Sequence, residues 1–111
     1  GPRRTAAPLT DHGDTAPPPA PGRPGVPGGI HLDIDVDVCD RSVAPGCPAS
    51  VPGGLAAWEL RALVRGIARD PLVASADIVE VDATADTADA RTVRLAALCV
   101  LELLAGLAER P

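Results

Sequence analysis

Strict alternation of apolar and acidic residues between residues 31 and 38 is the feature that most constrains how this chain can fold. In the segment HLDIDVDV, aliphatic side chains occupy the even positions, and three of the odd positions hold Asp33, Asp35 and Asp37. A β-strand directs successive side chains to opposite faces, so the pattern predicts a strand with one aliphatic and one acidic face. The carboxylates would follow one another at intervals of about 6.5–7 Å. Asp is rare in strands and like charges on one face repel, so the acidic face needs its own explanation.

The composition of the chain changes at about residue 29. Most of the thirteen prolines lie in residues 1–29, and this composition predicts a disordered Pro/Gly-rich tail. From residue 30 the pattern reads strand (about 30–37), amphipathic helix ending at Asp70-Pro71, strand (about 73–81), and a final helix that is apolar nearly all round. That order predicts parallel strands with right-handed crossovers. We therefore expect an α/β fold over residues 30–111, a partial three-layer αβα domain.

Two strands and two helices do not close such a layered domain. We expect one sheet edge and part of the final helix to lie open, although the apolar circumference of that helix favours burial on more than one side. A homo-oligomer or a complementing chain would cover these surfaces.

Charge and hydropathy restrict the class of partner. The formal net charge is −5 and the sequence pI is about 4.8, which argue against nucleic acid or an anionic membrane. No apolar run reaches the length of a transmembrane helix or a signal peptide. We therefore expect a cytoplasmic protein in which Cys39, Cys47 and Cys99 are reduced and structural.

The acidic face has two interpretations, a solvated sheet edge or a metal site. Parallel strands are normally covered on both faces, where unpaired carboxylates must meet cations or become protonated. Carboxylates near the carboxyl end of a parallel strand lie where α/β folds place their ligand sites, and divalent ions favour such oxygen ligands. The residue pattern alone leaves both interpretations open.

The sequence that includes and follows the end of the predicted strand resembles that of a known family. DIDVDVCDRSVAPGCPASVPGGL, residues 33–55, resembles the signature of the ureohydrolase superfamily, which includes arginase, agmatinase and formimidoylglutamase. The shared pattern is a strand with Asp-x-Asp, an Asp three residues on, a Pro-Gly loop, and a Gly-Gly pair ahead of a helix. ADIVEVDATAD and RTVRLAA resemble later segments of the family. The resemblance covers residues 30 to about 108 and corresponds to the C-terminal portion of the family domain.

The resemblance implies a binuclear manganese hydrolase that breaks a linear C–N bond of a guanidino or formimino compound. Asp35 and Asp37 match metal ligands of the family, Asp35 the one that bridges the two ions. Glu80 matches the carboxylate that holds the cationic group of the small-molecule substrate. No residue of the chain is assigned a catalytic role. The divergent loop favours formimidoylglutamase or agmatinase over arginase.

Several positions depart from the family pattern. Arg41 stands where the family usually has Pro, and Asp82 replaces an Asn. Ala56 occupies the position of a capping Ser or Thr, while Glu59 keeps the acid of a capping box. These departures indicate a divergent branch and leave the metal pair untouched.

The histidine and first aspartate motifs of the family have no counterpart in this sequence. The segment DHGD, residues 11–14, runs into prolines and is not expected to bind metal. His31 is expected to turn away from the aspartates and to lie either at the surface or behind the metal ligands as an indirect support. Asp33 is expected to face solvent, and Asp40 and Asp77 to brace loops. We therefore expect a fragment that is inactive alone. The alternatives are a non-catalytic, partner-binding α/β module and a small acidic domain that binds Mg²⁺ or Ca²⁺ loosely.

Overall fold

The computed structural model describes residues 28–111, so nearly all of the predicted tail, together with the DHGD segment, lies outside the described residues. The elements are β1 (Ile30–Asp35), a 3₁₀ turn (Val36–Val38), α1 (Ala57–Ala68), β2 (Val73–Val79), a second 3₁₀ turn (Ala83–Ala85) and α2 (Arg91–Ala108). β1 and β2 pair directly as a two-stranded parallel sheet. The predicted α/β class and the strand–helix–strand–helix order are confirmed.

The two faces of the sheet differ as the alternation predicts. Leu32 and Ile34 of β1 face the hydrophobic core, which also receives Ile78 of β2. His31 and Asp33 are exposed on the other face of β1. The aliphatic positions therefore fix which side of the sheet the helices cover.

β1 ends two residues earlier than predicted. The carboxylate of Asp35 accepts the backbone N–H of Asp37 at 3.0 Å, and the chain turns through the first 3₁₀ turn. A short side chain that bonds a backbone N–H two residues on competes with the strand ladder. The expectation of three evenly spaced carboxylates on one strand face is therefore wrong, because Asp37 lies beyond the strand. β2 also ends early, at Val79, where Glu80 takes a positive φ of 71°.

Both helices pack on the aliphatic face of the sheet. Leu60 and Val64 of α1 and Leu95 and Cys99 of α2 belong to the same core cluster as Ile34. The core therefore lies between the sheet and the helix pair. All three cysteines are buried and free, as predicted, and burial raises the pKa of the Cys39 thiol to about 11.

The two helices approach most closely at Gly106, which is buried. A Cβ atom added there would lie 2.6 Å from the Cβ of Ala68 and 2.6 Å from the carbonyl oxygen of Arg65. Beside this contact, Arg61 Nε donates to Glu102 Oε2 at 2.8 Å. The helix pair is thus fixed by a close backbone approach and an ion pair.

The side of α2 that faces away from the core is apolar and open. Val100, Leu101, Leu104 and Leu107 are between 46% and 59% exposed. The prediction of an open part of this helix is confirmed, whereas burial on more than one side does not occur within residues 28–111. Neither helix of this range combines the length and hydropathy that crossing a membrane requires.

Candidate metal and substrate site

Asp35 and Asp37 lie together at the carboxyl end of β1. Asp35 is its last residue, and Asp37 follows within the 3₁₀ turn. Partial desolvation, followed by the charge of Asp35 and a side-chain hydrogen bond with it, raises the pKa of Asp37 above its usual value. The turn therefore gathers two carboxylates that a strand would have held about 7 Å apart.

Asp40 anchors the loop behind this pair, as predicted. Its carboxylate accepts the N–H of Gly53 at 2.7 Å, the N–H of Ser42 at 3.0 Å and the Ser42 hydroxyl at 2.5 Å. These bonds, the Ser42 hydroxyl first, lower the pKa of Asp40 to about 2. Asp40 is saturated with donors from its own loop, which explains why it braces the loop.

The Gly-Gly pair lets the chain return close to the acidic turn. Gly53 has a φ of 94°, and a Cβ atom on Gly54 would lie 2.4 Å from the carbonyl carbon of Cys39. Next to this approach the Leu55 N–H donates to the Val38 carbonyl at 2.9 Å. Glycine is therefore required for the geometry at both positions.

Glu80 follows the carboxyl end of β2, as Asp35 ends β1. Because the strands are parallel, both residues lie at the same edge of the sheet. Glu80 is exposed, and its φ of 71° is uncommon for a residue with a side chain. Such backbone strain occurs preferentially at functional positions.

The polar face of the sheet carries a cross-strand cluster that the sequence reading placed wrongly. His31 lies on the same face as Asp33, because the two residues are two positions apart. Its Nδ1 lies 2.7 Å from Ser75 Oγ, and its Nε2 lies 3.2 Å from Asp77 Oδ2. Asp77 therefore lies in β2 and pairs with His31, and the prediction that it braces a loop is wrong. His31 and Asp33 are exposed, as expected of surface residues.

The departures from the family pattern have local partners. Arg41 Nη1 donates to the carbonyl of Cys47 at 2.9 Å, and the Asp82 carboxylate accepts the Thr84 N–H at 2.9 Å. At the start of α1, Glu59 Oε1 accepts the Ala56 N–H at 2.9 Å, and Ala56 supplies no capping side chain. The half capping box predicted for α1 is therefore confirmed.

The first turn of α2 uses a cap that sequence reasoning missed. Ala90 precedes the helix in the left-handed region and provides no cap, while the Asp86 carboxylate accepts the N–H groups of Thr92 and Val93, each at 3.0 Å. A nearer acid, Asp89, would be the natural choice from sequence, but it pairs with Arg91 at 3.1 Å. Ala90 has a φ of 54° directly before the helix, and no local sequence pattern predicts that Asp86 supplies the cap.

The donor set of the described residues fits part of a metal site. Asp35 and Asp37 are oxygen ligands suited to a hard divalent ion. No group of three or more His, Cys, Asp or Glu side chains within residues 28–111 is arranged to hold an ion. The pair can therefore contribute ligands but cannot complete a coordination sphere.

Comparisons with known proteins bear on this arrangement. The arginase-family model matches residues 23–106. The chain is 49% identical over 82 residues to formimidoylglutamase of Bacillus subtilis (strain 168), a match that covers 74% of this chain and 25% of that protein. Mitochondrial arginase 1 of Arabidopsis thaliana is 36% identical over 81 residues, which are 73% of this chain and 23% of the relative. The chain spans about a quarter of the length of these curated relatives.

Solved structures show the same fold. The crystal structure of B. subtilis formimidoylglutamase matches with a TM-score of 0.71 and 48% identity, over 75% of this chain and 26% of that one. Trypanosoma cruzi formiminoglutamase, crystallised with Mn²⁺, matches with a TM-score of 0.67 and 26% identity, over 73% of this chain and 27% of that one. The β1–α1–β2–α2 unit is thus a recurring portion of these proteins.

Proposed function

Because the chain belongs to the arginase family, we propose that it supplies part of the active site of a manganese-dependent ureohydrolase. The substrate is a formimino or guanidino compound whose linear C–N bond is hydrolysed. The observation that carries this proposal is the convergence of Asp35, Asp37 and Glu80 on one edge of the parallel sheet. Ligand sites of α/β folds lie at that edge.

Asp35 and Asp37 are the metal ligands in this proposal. Asp35, at the end of the strand, and Asp37, in the adjoining turn, would each offer carboxylate oxygens to the metal. The family resemblance matches Asp35 with the ligand that the two ions share. Manganese bound there would lower the pKa of a shared water and stabilise the negative charge that develops on the substrate. The Mn²⁺ in the T. cruzi structure supports this choice of metal.

Glu80 holds the substrate. Its carboxylate accepts hydrogen bonds from the N–H groups of a cationic amidine or guanidinium, which are short and strong because both partners are charged. Such a contact also orients the reacting carbon toward the metal edge. Identity to formimidoylglutamase exceeds identity to arginase, 49% against 36%, and this supports a formimino substrate such as formiminoglutamate.

The chain is inactive alone in this proposal. Two carboxylates are too few for a binuclear site, and the remaining ligands come from outside residues 28–111. A further segment or a complementing chain of the same family supplies them. We refer to the chain together with that complement as the complete enzyme.

A manganese titration of the complete enzyme tests the proposal. Asp37→Asn should lower Mn²⁺ affinity and turnover of formiminoglutamate together, because the neutral amide is a poor ligand for a hard ion. Asp33→Asn is the matched control, since Asp33 lies two residues before Asp35 on the exposed face of β1 and is assigned no metal. Unchanged turnover in the Asp37 variant, or an equal loss in the control, would refute the assignment.

A non-catalytic, partner-binding module is the second candidate function. The open apolar side of α2, formed by Val100, Leu101, Leu104 and Leu107, favours it. This candidate predicts that the chain associates with other polypeptides and is indifferent to Mn²⁺. The same titration therefore separates the two candidates.

A further inference from the structure

The Gly46 peptide is held from both sides by residues distant in sequence. Its N–H donates at 2.8 Å to the hydroxyl of Thr92, a buried residue in the first turn of α2. Its carbonyl accepts the N–H of Asp82 at 2.8 Å. Thr92 is 0% exposed, so water does not compete for the bond to its hydroxyl.

The contact leaves no space around Gly46. A Cβ atom there would lie 3.0 Å from the Asp82 carbonyl oxygen and 3.0 Å from both Cβ and Cγ of Asp86. Asp86 in turn accepts the N–H of Thr92 at 3.0 Å, so the same side chain caps α2 and packs on the loop. We name Gly46, Asp82, Asp86 and Thr92 the Gly46 latch.

The latch joins the two loops that carry the proposed site. Gly46 lies in the loop that follows Asp37, and Asp82 lies two residues after Glu80. Glu80 takes a positive φ that the backbone disfavours, so its position depends on restraints from both sides. β2 restrains it from before, and the core contact of Val81 and the latch at Asp82 restrain it from after. Asp35 and Asp37, in contrast, are fixed by their own turn.

We propose that Thr92 is a positioning residue for substrate binding, which holds Glu80 in place through the Gly46 peptide and the Asp82 N–H. This inference rests on the proposed role of Glu80. A Thr that merely caps or packs α2 would stabilise the fold without affecting substrate affinity. The two roles therefore differ in what removal of the hydroxyl does to KM.

The latch itself is tested by amide hydrogen exchange on the 111-residue chain. Thr92→Val removes the hydroxyl and keeps the shape. The Gly46 amide should then exchange about tenfold faster, because this buried donor loses its partner. The Asp82 amide should also exchange about tenfold faster, because the Gly46 carbonyl that accepts it is no longer held in place. Thr92→Ser restores the hydroxyl and should restore protection. Thr87→Val is the matched control, since the exposed Thr87 hydroxyl bonds only Asp89 among the described residues. Should Thr92→Val fail to fold, Thr92→Ala carries the same expectation.

Kinetics of the complete enzyme test the consequence for Glu80. Thr92→Val should raise KM for formiminoglutamate about tenfold and leave Mn²⁺ affinity unchanged, and Thr92→Ser should return KM to the parent value. Any of three results would overturn the proposal: an unchanged exchange rate of the Asp82 amide, an unchanged KM, or a loss of Mn²⁺ affinity equal to the rise in KM. If the parent enzyme hydrolyses no formimino or guanidino compound, the proposed function fails, and the exchange experiment still decides whether the latch exists.

Discussion

Replacing Gly106 by Ala tests whether the α1–α2 contact depends on a missing side chain. The substitution would normally stabilise a helix by about 1 kcal/mol, because Ala is a far better helix former than Gly. Here the new Cβ would lie 2.6 Å from the Cβ of Ala68 and 2.6 Å from the carbonyl oxygen of Arg65. We therefore expect the opposite sign.

The size of the effect follows from these distances. Carbon atoms in contact are normally about 3.5–4.0 Å apart, so the two helices would have to separate by about 1 Å. Overpacking of this kind costs about 1–3 kcal/mol. One of the two obstructing atoms belongs to the backbone and cannot rotate away, so the upper part of that range applies. After the gain in helix propensity, Gly106→Ala should lose about 1–2 kcal/mol of unfolding free energy.

Gly66 in α1 provides the matched control. It also lies inside a helix, but a Cβ atom there would meet nothing within 4 Å. Gly66→Ala should therefore gain about 0.5–1 kcal/mol from helix propensity alone. Urea unfolding followed by circular dichroism measures both variants, and each 1 kcal/mol corresponds to about 4–8 °C in Tm for a domain of this size. If Gly106→Ala proves as stable as Gly66→Ala, the helices do not meet at Gly106 as described.

Three further predictions concern the site. Glu80→Gly should raise the unfolding free energy by about 1 kcal/mol, because Gly accepts the φ of 71° without strain. The same variant should raise KM, because the carboxylate is lost. A fall in the unfolding free energy would contradict backbone strain at Glu80. Gly54→Ala should cost about 3 kcal/mol in urea unfolding, because its Cβ would lie 2.4 Å from the Cys39 carbonyl carbon, and an unchanged midpoint would contradict this approach. The pKa of Asp40 is lowered to about 2, so its stabilisation is complete above the usual value of 3.8 and is lost as pH falls toward 2. Acid unfolding of Asp40→Asn should show a flatter slope in that window, and a slope equal to the parent's would exclude this contribution.

The order of elements could be predicted from sequence because it depends on local periodicity. The i, i+3, i+4, i+7 spacing of Leu60, Leu63, Val64 and Ile67 predicted α1. Leu60 and Val64 are buried, whereas Leu63 and Ile67 are 51% and 42% exposed. Alternation identified β1 and its aliphatic face. The same alternation failed at Asp37, because a side-chain hydrogen bond from Asp35 ended the strand. Periodicity predicts which face of a strand or helix is buried, but it does not predict the side-chain hydrogen bond at which the element ends.

The contacts that assemble the proposed site could not be predicted from local sequence patterns. Gly46 and Thr92 are 46 residues apart in sequence, and their hydrogen bond exists only once α2 is packed. Asp86 likewise caps α2 although Asp89 is nearer to the helix in sequence. The candidate ligands were recognisable because residue type and family spacing mark them. The residues that position them are set by tertiary packing, which a single sequence does not display.

Two departures from the family pattern place a new side chain against a partner of suitable chemistry. Asp82 replaces an Asn, yet the bonds it makes require only an acceptor, which both residues offer: it receives the Thr84 N–H at 2.9 Å and the Thr84 hydroxyl at 2.6 Å. Arg41 replaces a Pro and ties the loop through the Cys47 carbonyl instead of stiffening it through a ring. In both cases the backbone around the acidic edge keeps its restraint while the chemical means of restraint changes. In the proposed metal site Asp35 and Asp37 would have no such freedom, because a hard cation would need the charge and oxygen atoms of those two side chains themselves.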